Sequence, residues 1–390
     1  MNILKGQNCK FSYLLLLVLC LFLNQVATAQ SFAIPPRFDY AASFSDGVAH
    51  VAIKDKDFYI NKLGRIVITP EKFDQYSKFS EGFARVRNIS SGKEGFIDKT
   101  GKLVIPLKYS YVNNFKEGRA VVSFSPLGTI TSEKGVIDRD GMYVRNPHLE
   151  YIFDFNEGFA TANFGIIGQP TVGMIDRDGK TVLSGRFTVM SSLIGGVAAA
   201  LSPKEGWGLV KPDGSWAVPP RFDWLGNLDK GLIAYGDCGG KRWQPWFAGT
   251  QNCRYGFINK SGDIVIPSQF TFASSFSEDR AVVSFSESVD ITFNSENRQY
   301  SSIGKKATFG YIDRTGRLII DPVYEEVSDF IEGVAAVLPK GSSNAESRYG
   351  YIDVRGKSVS DFTFMSANPV SEGMAAVKTQ TGKWGFIRFN

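Results

Sequence analysis

The sequence is poor in the residues that most enzyme chemistry uses. It has two histidines, His50 and His148, and four cysteines, Cys9, Cys20, Cys238 and Cys253. Neither histidine belongs to a Glu-x-x-His or His-x-x-x-His cluster, so no zinc centre is recognisable and no metal or cofactor is expected. A lone histidine in a strand such as Val48 to Ile53 is expected to be packed or solvated. There is no phosphate-binding glycine loop and no Gly-x-Ser-x-Gly elbow. Charge of one sign is also missing: 44 Lys+Arg stand against 39 Asp+Glu. Without a basic stripe or tail, nucleic acid is not an expected partner. No segment sustains a helical period, so helices should be rare.

The one long apolar run is N-terminal. Lys5 and Lys10 precede Phe11 to Leu23, and Ala27-Thr28-Ala29 follows. Basic region, apolar region and A-x-A site come in the order of a secretory signal peptide. The run is short for a membrane span of about 20 residues, which weighs against a retained anchor. Cys20 follows the bulky Leu19, which weighs against a lipoprotein. The expectation is cleavage after Ala29, one β-repeat domain over residues 30–390, and a secreted or periplasmic location with no membrane span. Cys9 and Cys20 leave with the leader. The remaining pair, Cys238 and Cys253, reads as a disulfide in an oxidising compartment. Closing that loop contributes roughly 3 kcal/mol in the chain-entropy model. Two metal-binding thiolates would need companion ligands that are absent.

What the chain has is repetition. Phe79-Ser80-Glu81-Gly82-Phe83-Ala84-Arg85-Val86 returns at Phe115, Phe155, Phe276 and Phe330, and more loosely at Phe44, Ile194, Leu228 and Val370. A second block, Gly95-Phe96-Ile97-Asp98-Lys99-Thr100-Gly101, follows each copy, and the chain stops inside the last one at Trp384-Gly385-Phe386-Ile387. A third block pairs Val104-Ile105-Pro106 with Tyr109 and recurs at Ile34-Pro35 and Ile266-Pro267. Short runs rich in β-branched and aromatic residues read as strands. Asp98 to Gly101 and the Glu-Gly pairs read as turns, and Pro106 reads as a strand stop. The prediction is an all-β repeat protein of about nine stacked three-stranded antiparallel units, since one such unit cannot bury its own face. An open curved β-solenoid fits the strand and unit counts; a β-propeller-like ring is the alternative.

These blocks, with Gly206-Trp207-Gly208-Leu209-Val210 and Lys383-Trp384-Gly385-Phe386-Ile387, resemble the WG-repeat (KWG) family of bacterial proteins. The resemblance covers essentially residues 30–390. It departs from type in the first half, where Glu94, Lys134 and Val172 precede the glycine in place of an aromatic residue. It implies a repeat scaffold and brings no catalytic residues.

The recurrent acids, Asp98, Asp138, Asp176, Asp313 and Asp353 in one turn and Glu81, Glu117, Glu157, Glu332 and Glu372 in the other, read as turn-formers. A catalytic pair would need unequal environments. Insertions carry more information, because in repeat proteins they map to loops on the binding face. The segment between Cys238 and Cys253 adds Trp243, Trp246 and Phe247, which read either as an apolar platform for a sugar ring or a protein or as rings folded back to cover the core. The insertion Ser286 to Thr308 reads as a polar surface hairpin or mobile loop. The expected function is a non-enzymatic scaffold that binds an envelope protein or glycan. A hydrolase of an envelope polymer and a purely structural spacer are the alternatives.

Overall fold

The computed structural model describes residues 31–71, 73–124, 133–165, 171–229, 231–240, 253–286, 290–295, 298–303, 307–341 and 348–389. The expected leader, residues 1–29, and the ring-bearing residues Trp243, Trp246 and Phe247 lie outside them.

Two turns of different chemistry shape each repeat. In Ser80-Glu81-Gly82-Phe83 the Ser80 and Phe83 backbones exchange hydrogen bonds of 2.8 and 3.1 Å. Glu81 and Gly82 have φ of 52° and 89°. Two successive left-handed residues form a primed hairpin turn, whose twist matches that of the strands it joins. In the second turn, Asp98 Oδ1 accepts the N–H groups of Thr100 and Lys102 at 2.8 and 3.2 Å. Asp138, Asp176, Asp313 and Asp353 repeat that Asx turn, as expected.

The unit that results has four strands where three were predicted. In the second repeat they are Gln75–Tyr76, Ala84–Asn88, Lys93–Ile97 and Leu103–Tyr109, hydrogen-bonded in that order. The first strand is two residues long, too short to leave a periodic signal. The fourth does not stop at its proline. Leu103–Tyr109 runs through Pro106 with register shifts against its neighbour, because an outermost, bulged strand tolerates a residue that cannot donate.

The glycine of the second block is what allows this. A Cβ on Gly95 would stand 2.4 Å from the Ile105 carbonyl oxygen, and one on Gly310 would stand 2.4 Å from that of Ile320. The bulged outer strand lies directly on the glycine backbone, leaving no room for a side chain.

Among the described residues the strands form eight hydrogen-bonded sheets. The largest holds two units joined through the long strand Leu318–Ser328, which ends one unit and begins the next, and so makes nine units in all. The N-terminal strand Phe32–Phe38 is the fourth strand of the C-terminal unit. It pairs with Trp384–Arg388, with Phe38 opposite Trp384. That junction is packed as a core: Ile34, Phe38 and Phe44 are buried with Met374, Ala376 and Phe386. Ser371 Oγ donates to Phe44 O at 2.7 Å across the same junction. The array is therefore closed on itself. Of the two expected architectures, these pairings are those of the propeller-like ring.

The Glu-Gly acids do more than form turns. Both Glu81 oxygens accept backbone N–H groups of the next unit, from Glu117 and Gly118 at 2.6 and 2.8 Å. Glu117 accepts those of Glu157 and Gly158, and Glu157 those of Gly195 and Gly196. Glu278 clamps Glu332 and Gly333, Glu332 clamps Glu372 and Gly373, Glu372 clamps Gly47, and Asp46 clamps Gly82. The relay breaks at Ile194-Gly195-Gly196-Val197, whose two central residues are glycine and offer no carboxylate. This explains why an acid with positive φ, an unfavourable conformation for any residue with a Cβ, recurs where asparagine would be easier. Each carboxylate makes charge-assisted bonds to the neighbouring unit.

Burial pushes the Glu81 and Glu117 carboxyls up. Bonds from Gly118 and Arg139 to Glu81, and from Gly158 and Arg177 to Glu117, outweigh it and hold both below the usual glutamate range. A depressed folded-state value gives stability that is present above the unfolded value of about 4.3 and lost as pH falls through the folded one. Thermal midpoints are therefore expected to fall below about pH 4.3, and more shallowly in a Glu81→Gln/Glu117→Gln variant. Parallel acid profiles of the two proteins would contradict this.

A candidate binding site in the central cavity

The first strands of the units face a shared space. Ala42 and Ser43 of the first unit, Ser77 and Lys78 of the second, Asn113 and Asn114 of the third, Asp154 of the fourth and Asn368 of the ninth line one cavity of about 630 Å³. Residues so distant in sequence can line a common cavity because the ring places their strands around one axis. Each lies one or two residues before a buried apolar residue, namely Phe44, Phe79, Phe115, Phe155 and Val370. The buried residue points into the sheet interface and fixes its polar predecessors toward the axis. Sequence reasoning missed these positions, because attention went to the turn that follows. The signal was present: a polar pair precedes the aromatic residue of the repeat as Ser77-Lys78, Asn113-Asn114 and Ser274-Ser275.

An inserted hairpin divides the space. Asp290–Asn294 and Gln299–Ile303 pair with each other inside the insertion Ser286 to Thr308. The hairpin is not confined to the surface as expected. Gln299 and Tyr300 pair with Ser328 and Val327 on the first strand of the eighth unit, and Gln299 Nε2 donates to Ala367 O of the ninth at 2.8 Å. Arg298 Nη2 lies 2.7 Å from the buried Asp329 carboxylate. Asn294 and Ser295 join the lining of the polar cavity. Ile291, Phe293 and Tyr300 line a second cavity of about 270 Å³ with Trp207, Trp224 and Phe272. The two cavities share no lining residue.

The polar cavity is partly organised by its own hydrogen bonds. Asn113 Nδ2 donates to Asp154 Oδ1 at 2.6 Å, and Arg85 Nη1 donates to Val112 O at 2.9 Å. Among the described residues Asn114 Oδ1 and Arg85 Nε have no hydrogen-bond partner although both atoms are buried. Such atoms are uncommon in folded proteins and mark places where water or a ligand completes the structure. The Tyr40 and Tyr111 rings are 47% and 45% exposed beside these groups. Burial pushes the Tyr76 phenol up, so it remains a donor at neutral pH, and it donates to Glu71 O.

His50 is packed, as expected of a lone histidine. Its Nε2 lies 2.7 Å from Asp57 Oδ1, and the Tyr40, Tyr59 and Tyr76 rings surround it at 5.4 to 5.5 Å between centroids. It borders a further cavity of about 450 Å³ with Asp57, Asp74 and Glu94. Asp74 accepts from Ile89 N–H and Glu94 from Val112 N–H. His148 is exposed, with Nδ1 2.7 Å from Asn146 O. Among the described residues no group of three His, Cys, Asp or Glu could hold a metal ion, and no helix is long and apolar enough to cross a membrane.

Cys238 and Cys253 lie together, their Cα atoms 4.2 Å apart, between the second and third strands of the sixth unit. The hairpin insertion leaves between the same two strands of the seventh. In an antiparallel meander the connection between second and third strands lies at the opposite edge from the Glu-Gly and Asp-x-x-Gly turns. Both insertions thus rise from one edge of the ring.

A solved structure titled as the eukaryotic initiation factor is similar with a TM-score of 0.52 at 10% identity, covering 85% of this chain and 88% of that chain. A computationally designed protein, Ika8, gives 0.43 at 10% identity, covering 91% and 96%. BamB from Moraxella catarrhalis gives 0.37 at 11% identity, covering 93% and 95%. No curated protein matches the sequence. The WG containing repeat matches residues 29–56, 58–88, 95–124, 135–165, 207–237, 255–286, 309–341 and 349–384. Every match after the first runs from the third strand of one unit into the second strand of the next, and the first begins on the fourth strand Phe32–Phe38, so the sequence repeat and the folded unit are out of phase. The described part of the unmatched segment, residues 171–206, still folds in pattern, with Val172–Asp176, Thr181–Phe187 and Ala198–Ser202 in their places. With matches over more than half its length, the chain belongs to the family of proteins built from the WG containing repeat.

Proposed function

We propose that this protein is a non-enzymatic, secreted or periplasmic scaffold that binds an envelope protein or an envelope glycan. The observation that carries the reading is the shared edge of the two insertions, one of which enters the central cavity and shapes it. A repeat ring gives a rigid frame, and loops that depart from the repeat supply specificity. The order of Lys5, Lys10, Phe11 to Leu23 and Ala27-Thr28-Ala29 supports export. In an oxidising compartment Cys238 and Cys253 would form a disulfide closing the segment whose sequence includes Trp243, Trp246 and Phe247. A hydrolase reading has one observation in its favour, the gathering of Asp57, Asp74 and Glu94 around His50.

The test is capture from native envelope extract containing intact cell-wall polymer. Baits are residues 30–390 in wild-type form and as Trp243→Ala/Trp246→Ala. Capture of one protein or polymer by wild type alone is the expected result. Equal capture by both baits would remove the loop from the site. No capture by either, with turnover of added polymer, would replace binding by hydrolysis.

A further inference from the structure

We infer that the polar compartment of the central cavity is a saccharide site, which takes a short neutral stretch of glycan between the inserted hairpin and the first strands of the second, third and ninth units. This rests on the binding-scaffold reading and narrows its ligand from protein or glycan to glycan.

The chemistry of the lining carries the inference. Carboxamides are the most frequent polar side chains, with Asn113, Asn114 and Asn368 from the ring and Asn294 from the hairpin. A carboxamide presents a donor and an acceptor side by side, which matches a sugar's adjacent hydroxyls, each of them both donor and acceptor. Among the described residues Asn114 Oδ1 is already without a partner. The Asn114 and Asn368 side chains make no hydrogen bond among the described residues, so neither is committed to holding the fold. The exposed Tyr40 and Tyr111 rings offer flat apolar faces with a polar tip, suited to the C–H face of a pyranose. Formal charge in the lining is of both signs, with Lys78 and Arg85 against Asp154. Two cations and one carboxylate make a mixed lining with a small positive excess, and a polyanion would call for a field of one sign, so the mixture fits a neutral ligand better. A volume of about 630 Å³ lies in the range of small-ligand sites and is far too small for a folded partner. The hairpin contributes by separating this space from the apolar compartment around Phe293 and Tyr300, so the walls presented to the ligand stay polar.

The experiment is calorimetric titration of residues 30–390 with chitotriose, cellotriose and maltotriose, and with a polygalacturonate trimer as the acidic comparison. Variants are Asn114→Ala/Asn368→Ala and Trp243→Ala/Trp246→Ala. At least one neutral trisaccharide should bind. The asparagine variant should weaken it by about tenfold or more, the loss of two hydrogen bonds, with a thermal midpoint within about 2 °C of wild type. No binding of any neutral trisaccharide, preference for the acidic trimer, or equal affinity in the asparagine variant would each overturn the inference. If saccharides fail while wild type still captures a protein from extract, the glycan class falls and the scaffold reading stands. If both fail, the scaffold reading falls with it.

Discussion

Replacing Gly310 with alanine is expected to destabilise the protein by about 3 kcal/mol, the upper end of what overpacking usually costs. The added methyl would stand 2.4 Å from the Ile320 carbonyl oxygen and 2.8 Å from the Pro322 nitrogen. Both are backbone atoms of the bulged outer strand, so no side-chain rotation relieves the overlap. The strand must lift, and Ile320, Tyr324 and Tyr311 lose their packing with it. Gly333→Ala separates this from ordinary glycine effects. A Cβ at Gly333 meets nothing within 4 Å, and its cost comes only from a φ of +81°, about 1 kcal/mol or slightly more. Chemical unfolding of the two variants should rank them clearly. Equal losses would mean that the glycine of the repeat is not there to admit the outer strand.

Deleting residues 32–38 is expected to have the larger effect. It removes Ile34 and Phe38, both fully buried, worth about 3–6 kcal/mol between them. It also exposes the Trp384–Arg388 edge, which loses its pairing partner. A bare apolar edge is a template for another chain. Loss of about 5 kcal/mol or more, or self-association on size-exclusion chromatography, is the expected outcome. If the deletion does not fold at all, Phe38→Ala gives the milder version, at about 3–5 kcal/mol. An open solenoid would lose little, because its terminal strand would pack against one neighbour only.

Much of the fold was legible because turn chemistry is local. Ser80-Glu81-Gly82-Phe83 and Asp98 to Gly101 announce their conformations in four residues, and the strands between them are short apolar runs, largely buried as in Lys93–Ile97 and Ala120–Phe124. Gln75–Tyr76 was not legible, since two residues carry no period. Pro106 misled because a proline stop is the rule for a central strand, whereas the outermost strand here bulges over Gly95 and continues. Phase alone left ring closure open: the first copy begins on the fourth strand of a unit and the last ends on the third, which suits ring and solenoid alike until Phe32–Phe38 and Trp384–Arg388 pair in one sheet. The Glu81 clamp was missed because its partners, Glu117 and Gly118, lie a whole repeat away. The cavity was missed for the same reason, since Asn113 and Asn368 become neighbours of one space only when the ring shuts. The loop of Trp243, Trp246 and Phe247 remains a sequence-based proposal, tied to the structure through Cys238 and Cys253.

Closure of the ring underlies both the cavity and the site proposed in it. Zero-length carbodiimide cross-linking of the native chain, with mass spectrometry of the monomer band, tests it without any substitution. Lys383 Nζ lies 2.5 Å from Asp39 Oδ1, and Lys62 Nζ lies 3.2 Å from Glu372 Oε2. Both links join the two ends of the chain. The account predicts both within the monomer. If Lys383 and Lys62 are joined in the monomer only to acids near them in sequence, or if the two predicted links occur only in a dimer band, the ring is open and the central cavity does not exist.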